Sequence, residues 1–581
     1  MMMMMTMIRK QLGLVCLFMA WTSVSVVAQV ASPSPAAQTS KSGTITGRVV
    51  NEKGQPLANA RVSIRAFGSM NPGQSVTTDQ DGRFEVTGLE RVNYQVAAWL
   101  SPYAPQPRNP LDTQPTNVRV GDSVTLVLIK GGVITGTVTN QMGEPLVGVR
   151  VRARMIRDSD LLPAPYVQMP RERATDDRGI YRIYGLPAGT YVVWAGGSGQ
   201  YPGGMDPFDA DVPTYAPASS RDEAAEITVR TGEETTNVDI RYRGESGRIV
   251  SGTVTGPATD QQMGVGIELT SVKDPGLQWS SMRGAYAQQG VVFSFEGVED
   301  GDYYITARSF LPSQEWALSV SKRITVRGAD VTGIKLVTQP LSYVSGRVVL
   351  EESSATECTD NTRPLFSETL VSAWHKETEA TKALPRFVWS LGAPVAADAE
   401  GNVRLRNLSP GDYRFATQFS GKYWFLQSIA LPPLKTQPTK PVDAARTWTT
   451  IKSGDRLSGL TVTLAHGAAS LRGQIAVAEG ETLPERLIAY LVPAEREKAD
   501  DVLRYYAVAV TPDGQIAFNN LAPGRYWMLA QTTIDDRSPS TKLRLPDSTA
   551  MRSALRRTAE AAKTEVEFKP CQNVVDFRLP L

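Results

Sequence analysis

Chemistry in this chain would have to come from few side chains: there are two histidines, His375 and His466, and three cysteines. A hydrolytic zinc centre takes closely spaced histidines and a carboxylate, with one position left for water. His375-Lys376-Glu377 does not have that spacing. Both histidines are therefore read as ordinary surface or loop residues, and no metal or cofactor is expected. A Ser-His-Asp triad needs a nucleophile elbow, and no G-x-S-x-G occurs. Gly196-Gly197-Ser198-Gly199 lacks the lysine of a phosphate loop and does not open a helix. Asp79-Gln80-Asp81-Gly82 and Asp176-Asp177-Arg178-Gly179 suggest calcium, but neither supplies the remaining oxygen ligands or the closing Glu of an EF-hand loop. They are read as hairpin turns in which Asp caps the backbone and Gly takes positive φ. No catalytic residue is assigned.

Two kinds of residue keep a functional reading. Exposed Trp and Tyr rings stack on sugars, and Trp99, Tyr103, Tyr201, Tyr215, Trp279, Trp316 and Trp424 lie in or beside expected loops. Trp99, Tyr201 and Tyr215 are the candidate ligand-stacking residues; the competing reading is that such rings fill cores or cover their ends. Cys358 and Cys571 could pair in an oxidising compartment, stapling the last strand region to its neighbour domain. The alternative is two separate buried thiols, because spacing along the chain gives no distance.

The elements that must position these residues repeat. In DDRGIYRIYGLPAGTYVVWA, Asp176 to Ala195, Tyr181 and Ile183 alternate with Arg182 and Tyr184, the period-2 pattern of a half-buried strand. Gly185-Leu186-Pro187-Ala188-Gly189 breaks it, and Tyr191, Val193 and Ala195 alternate again. Gly82 is followed in the same way by Phe84, Val86 and Leu89, Gly401 by Val403, Leu405 and Leu408, and Gly514 by Ile516, Phe518 and Leu521. A looser copy runs Gly290, Phe293, Phe295, Val298. A tyrosine stands five residues beyond the last apolar position in every copy, at Tyr94, Tyr191, Tyr303, Tyr413 and Tyr526, spaced 97, 112, 110 and 113 residues apart. That period is one small domain, so the expected fold is all-β, a tandem array of five independent small domains.

The expected boundaries are 43–129, 130–243, 244–339, 340–466 and 467–581. Junctions of a few residues predict a semi-rigid rod with limited bending at each Gly. Long insertions at Gly196 to Glu226, at Glu351 to Leu384 and around Tyr423-Trp424 are where binding would be placed. A helix is expected over Ser548 to Lys563, packing through Met551, Leu555 and Ala559.

Ahead of the array, Arg9 and Lys10, the mostly apolar Leu12 to Val27 and the small residues before Gln29 read as a signal peptide over 1–28. A Pro/Ser/Ala tether follows over 29–42. Export is expected, to the periplasm, outer surface or exterior. No later stretch is long and apolar enough to span a bilayer. Lys+Arg 61 against Asp+Glu 59 leaves +2, which offers no electrostatic case for nucleic acid.

The opening G-x-V with G-x-P-L, the later D-G or D-x-x-G and then G-L-P-A-G-x-Y resemble the carboxypeptidase regulatory-like domain, a transthyretin-like sandwich related to Cna-B-type and starch-binding-like modules. The first two units carry it through Gly47, Gly54, Gly82 and Leu89, and through Gly136, Gly143, Gly179, Leu186 and Gly189. The third lacks the turn Asp, and the last two keep the late half better. The resemblance implies a fold, an all-β tandem array of five immunoglobulin-like (prealbumin-like) β-sandwich domains, rather than an activity, since every matching residue is a turn former or core residue. Three functions remain open: a non-enzymatic adhesive, spacer or ligand-binding protein of the bacterial envelope; a carbohydrate-binding protein; or an accessory subunit of an envelope enzyme or outer-membrane transporter. A glycan or an envelope protein is the expected partner, and a monomer the expected state.

Overall fold

The computed structural model describes residues 43–67, 73–105, 117–159, 161, 164, 170–197, 207–208, 210–256, 264–274, 278–283, 290–310, 315–359, 362–376, 394–432, 441–478, 480, 482–484, 487–532 and 548–581. The signal and tether segments and Tyr201 lie outside these. The array belongs to one compact unit, Lys41–Leu581.

Each repeat folds into two layers around its own apolar cluster. In the first sandwich, Gly43–Asn51 pairs antiparallel with Arg83–Leu89 and parallel with the closing strand Ser123–Lys130. The facing layer is built on Arg61–Ala66 beside Asn93–Trp99. Phe84, Val86 and Leu89 point inward while the residues between them are exposed, as the period-2 pattern requires. The same first-strand and closing-strand arrangement recurs in the other four sandwiches. The third differs in that Trp316–Ser319 pairs with strands of both layers, joining them into one eight-stranded sheet.

Two features explain why so few positions recur. A Cβ added at Gly47, Gly136, Gly252, Gly346 or Gly473 would lie 1.8 to 2.4 Å from a closing-strand carbonyl oxygen, so the first strand needs a residue with no side chain there. The spaced tyrosines are all buried, and each hydroxyl donates to the carbonyl four residues earlier: Tyr94 to Glu90, Tyr191 to Pro187, Tyr303 to Glu299, Tyr413 to Ser409 and Tyr526 to Ala522, at 2.7 to 3.0 Å. The ring fills the core while the hydroxyl ties down the turn before its own strand. The aspartate turns are hairpins: Asp79 Oδ1 accepts from the amides of Asp81 and Arg83, and Asp176 Oδ1 from those of Arg178 and Ile180.

Two expectations need correction. The helix, Thr549–Ala562, is capped by Ser548, whose hydroxyl accepts from the Met551 amide. Its buried face carries Arg552, Leu555 and Ala559, however, while Met551 is exposed. The stripe runs i, i+3, i+7, because Arg552 can be buried while its guanidinium stays 3.8 Å from the Asp500 carboxylate. The semi-rigid rod with limited bending at each Gly also fails, because the first sandwich meets the fourth. Asn93 Nδ2 donates to the Glu368 carbonyl at 2.7 Å, the Ser367 hydroxyl donates to the Arg91 carbonyl, and Arg119 lies 3.9 Å from the Glu368 carboxylate. Junctions too short to swing hold a fixed bend, which brings these sandwiches together.

Candidate functional site

The distinctive construction lies where one sandwich meets the next. The residue before the last apolar position of the repeated strand has a left-handed backbone in every copy: Gly88, Gly185, Gly297, Asn407 and Asn520, with φ from +56° to +75°. Glycine and asparagine are the two residue types that adopt this conformation readily. In the second, fourth and fifth sandwiches this residue receives the preceding one. A Cβ on Gly185 would lie 3.4 and 3.6 Å from the carbonyl oxygens of Tyr103 and Pro102 in the first sandwich. Asn407 Oδ1 accepts from the Trp316 amide at 2.8 Å, and Asn520 Nδ2 donates to the carbonyls of Gly421 and Trp424, each at 2.7 Å. Around Gly88 an added Cβ would meet nothing within 4 Å. Glycine therefore allows backbone-to-backbone docking, whereas asparagine docks through its amide.

Charge pairs reinforce the junctions. Between the second and third sandwiches, buried Asp274 accepts from Arg154 and, at 2.6 Å, from Arg221 Nε. Between the fourth and fifth, Arg446 grips both carboxylate oxygens of Asp501 at 2.8 and 3.0 Å. Burial works against the Arg446 charge, and the pairing with Asp501 and Asp443 outweighs it, so its pKa lies above the usual guanidinium value. Arg404 and Glu315 pair at 3.0 Å between the third and fourth.

The cysteines meet at the last junction. Cys358 and Cys571, 213 residues apart, are joined in a disulfide with Cα atoms 5.3 Å apart. His466 is not a surface or loop residue. It ends the strand Arg456–His466, is buried, and lies 5.0 Å from the Trp424 ring, centroid to centroid. The other histidine, His375, is half-buried, edge-on to Tyr413 at 4.7 Å.

The stacking candidates separate. Trp99 is 47% exposed at the end of Asn93–Trp99, opposite Arg61, and its ring is open to a ligand. Tyr215 is 1% exposed and cannot stack on one. It forms a two-residue strand beside Trp194, the ring centroids 5.6 Å apart, because Gly189–Ala195 is buried on both faces and needs cover on its outer side. Burial pushes the Tyr215 hydroxyl pKa well up. Trp279 and Trp424 are likewise buried, Trp316 half-buried against Phe310, and Tyr103 half-buried. Trp99, Tyr215 and the cysteine pair are thus scattered over three junctions or faces rather than gathered in one site.

The second sandwich carries an open cleft of about 570 Å³ beside its edge strand Arg171–Ala174, lined by Val147, Arg150, Glu172, Arg173, Pro207 and Phe208 among others. Glu172 bridges Arg150 and Arg152 at 3.0 and 3.1 Å, and Phe208 stands edge-on to Tyr242 at 5.5 Å. An apolar wall, a charged wall and an unpaired strand edge can hold an extended polar ligand. The sequence placed binding in the Gly196 to Glu226 insertion, which supplies Pro207 and Phe208, but no motif marked the charged edge strand Arg171–Ala174 as the other wall.

Residues 44–127 match the carboxypeptidase regulatory-like domain family. A 170-residue stretch is 28% identical to the mouse BOS complex subunit NOMO1, covering 26% of this chain and 13% of that protein, far less than two thirds of its length. Among solved structures, the two B repeat units of the collagen binding protein of Staphylococcus aureus are matched in full over 73% of this chain, with 10% identity and a TM-score of 0.12. The minor pilin GBS52 of Streptococcus agalactiae is matched over 95% of its length and 34% of this chain, with 15% identity and a TM-score of 0.18.

Proposed function

We propose that this chain is an exported, non-enzymatic adhesive or ligand-presenting scaffold of the bacterial cell envelope, with domains at 43–129, 130–243, 244–339, 340–466 and 467–581. The observation that carries the reading is the docking of the second, fourth and fifth sandwiches, each onto the one before it, through the same left-handed residue. Such docking fixes where each loop cluster faces, which is what a presenting scaffold needs and what independent beads on linkers would lack. The disulfide between the last two sandwiches fits an oxidising compartment outside the cytosol. Cell fractionation and protease shaving of intact cells test it: the full chain is expected in the envelope or outside, with a deletion strain losing surface attachment. Recovery in the cytosolic fraction would end the reading.

The cleft favours a second reading, in which the ligand is a glycan or an extended peptide bound along Arg171–Ala174. Glycan-array and peptide-array binding that Phe208→Ala removes and Trp99→Ala leaves intact would place the ligand there. The reverse pattern would place it on the first sandwich.

A further inference from the structure

We propose that the junction between the fourth and fifth sandwiches is a Zn²⁺ site when its disulfide is reduced, with Cys358, Cys571 and His466 as ligands. The two sulfurs and an imidazole nitrogen all lie within 4.8 Å of one another. They come from three segments: a turn in the fourth sandwich, the last residue of that sandwich's closing strand, and the turn before the final strand Asn573–Pro580 of the fifth.

Hydrogen bonds as well as the S–S bond hold these segments. The Cys571 amide donates to the Gly467 carbonyl at 3.0 Å, and the amides of Gly467 and Ala468 both donate to the Tyr423 carbonyl, at 2.7 and 2.8 Å. The Cys358 amide donates to the Ala355 carbonyl, and the Ala355 amide to the Ser353 hydroxyl at 3.0 Å. Trp424, which stands over the imidazole, is fixed by its Nε1 donating to the Thr362 carbonyl at 3.0 Å. On this proposal, these bonds keep the three donors facing one another when the disulfide opens.

A dithiol reductant supplies the two electrons: its own sulfurs become a disulfide and its two protons pass to Cys358 and Cys571. Zn²⁺ then binds as both thiols release their protons and neutral His466 donates a nitrogen lone pair, leaving the fourth tetrahedral position to water. Zn–S bonds of about 2.3 Å at tetrahedral angles put the sulfurs roughly 3.8 Å apart, a separation reached by rotating the cysteine side chains. Two thiolates and an imidazole select a borderline-soft cation over Mg²⁺ or Ca²⁺. The last two sandwiches are then cross-linked in both redox states, by sulfur to sulfur in one and through the metal in the other.

The test uses the full chain, reduced with a phosphine, freed of reductant under nitrogen and titrated with Co²⁺. One Co²⁺ per chain is expected, with thiolate-to-cobalt charge transfer and tetrahedral d–d bands that Zn²⁺ displaces, and none in the oxidised protein. His466→Ala should weaken binding by about tenfold or more, since losing even a group that only supports a ligand costs that much. Cys571→Ser should abolish the charge-transfer band, and His375→Ala should change nothing. Circular dichroism checks that each variant remains folded. A reduced wild-type chain that takes up no Co²⁺, or a folded His466→Ala chain that binds as tightly as wild type, overturns the proposal.

Discussion

Asn520 allows the docking geometry to be tested at one side chain. Its backbone is left-handed at φ +56°, and its amide nitrogen donates to two carbonyls of the preceding sandwich, Gly421 and Trp424, both at 2.7 Å. Asn520→Ala removes both hydrogen bonds, each worth about 0.5–1.5 kcal/mol net. It also places alanine in a conformation that costs an L-residue about 1–2 kcal/mol. The expected loss is about 2–5 kcal/mol for Ala and about 1–3 for Asn520→Gly, which loses the bonds without the backbone strain. An array of sandwiches need not unfold in one step, so a global unfolding energy is a poor measure. Native-state hydrogen exchange in Ala469–Ala476 and Gly524–Thr532 reports on the fifth sandwich locally. Both variants within about 0.5 kcal/mol of wild type, the range of neutral surface changes, would refute the docking role. Equal losses for Ala and Gly would refute the backbone part alone.

At Gly346, an added methyl would stand 1.8 Å from the Leu460 carbonyl oxygen, so Gly346→Ala should destabilise the fourth sandwich by about 1–3 kcal/mol or more; an unchanged melting temperature would count against the close strand approach. Tyr413→Phe should cost about 1 kcal/mol at neutral pH through loss of the bond to Ser409. Burial pushes the Tyr413 pKa from 10.0 up to about 12, although its bonds to Ser409 act the other way. A raised pKa stabilises the native state fully below the unfolded value, so the wild type's advantage should shrink as pH rises from 10 to 12; denaturation on either side of that window checks the sign. Asp274→Ala strands Arg154 in a buried junction and should cost about 3–5 kcal/mol. Arg154→Met combined with Asp274→Leu should recover most of that loss, and failure to do so would mean the pair matters for more than its mutual charge.

The fold was legible because its demands recur at fixed offsets. A first-strand glycine under the closing strand, an aspartate turn and a tyrosine bonded back four residues each leave one residue type at one spacing. The docking residues were harder to see. Asn407 and Asn520 fill the same conformational role as Gly185 and Gly297, but they are spelled differently, and the partners they meet lie about one sandwich away in sequence. The contact of Asn93 with Glu368 spans 275 residues and follows from the sum of several junction angles, which no local pattern encodes. Tyr215 looked like a loop aromatic because its strand has only two residues, too few for alternation to register. The burial of His466 was in the pattern, since it follows Leu460, Val462 and Leu464 on the inward face of its strand, but its neighbours in space, Trp424 and the cysteine pair, were not.

The parallel pairing of first and closing strands has a mechanical consequence. Thr46 to Asn51 run beside Ser123 to Leu128, and Tyr343 to Glu351 beside Arg456 to Ala465, so the chain enters and leaves each sandwich at opposite ends of two neighbouring strands. Tension along the polypeptide slides those strands past each other in shear, and every hydrogen bond between them resists at once rather than parting one by one as in a zipper.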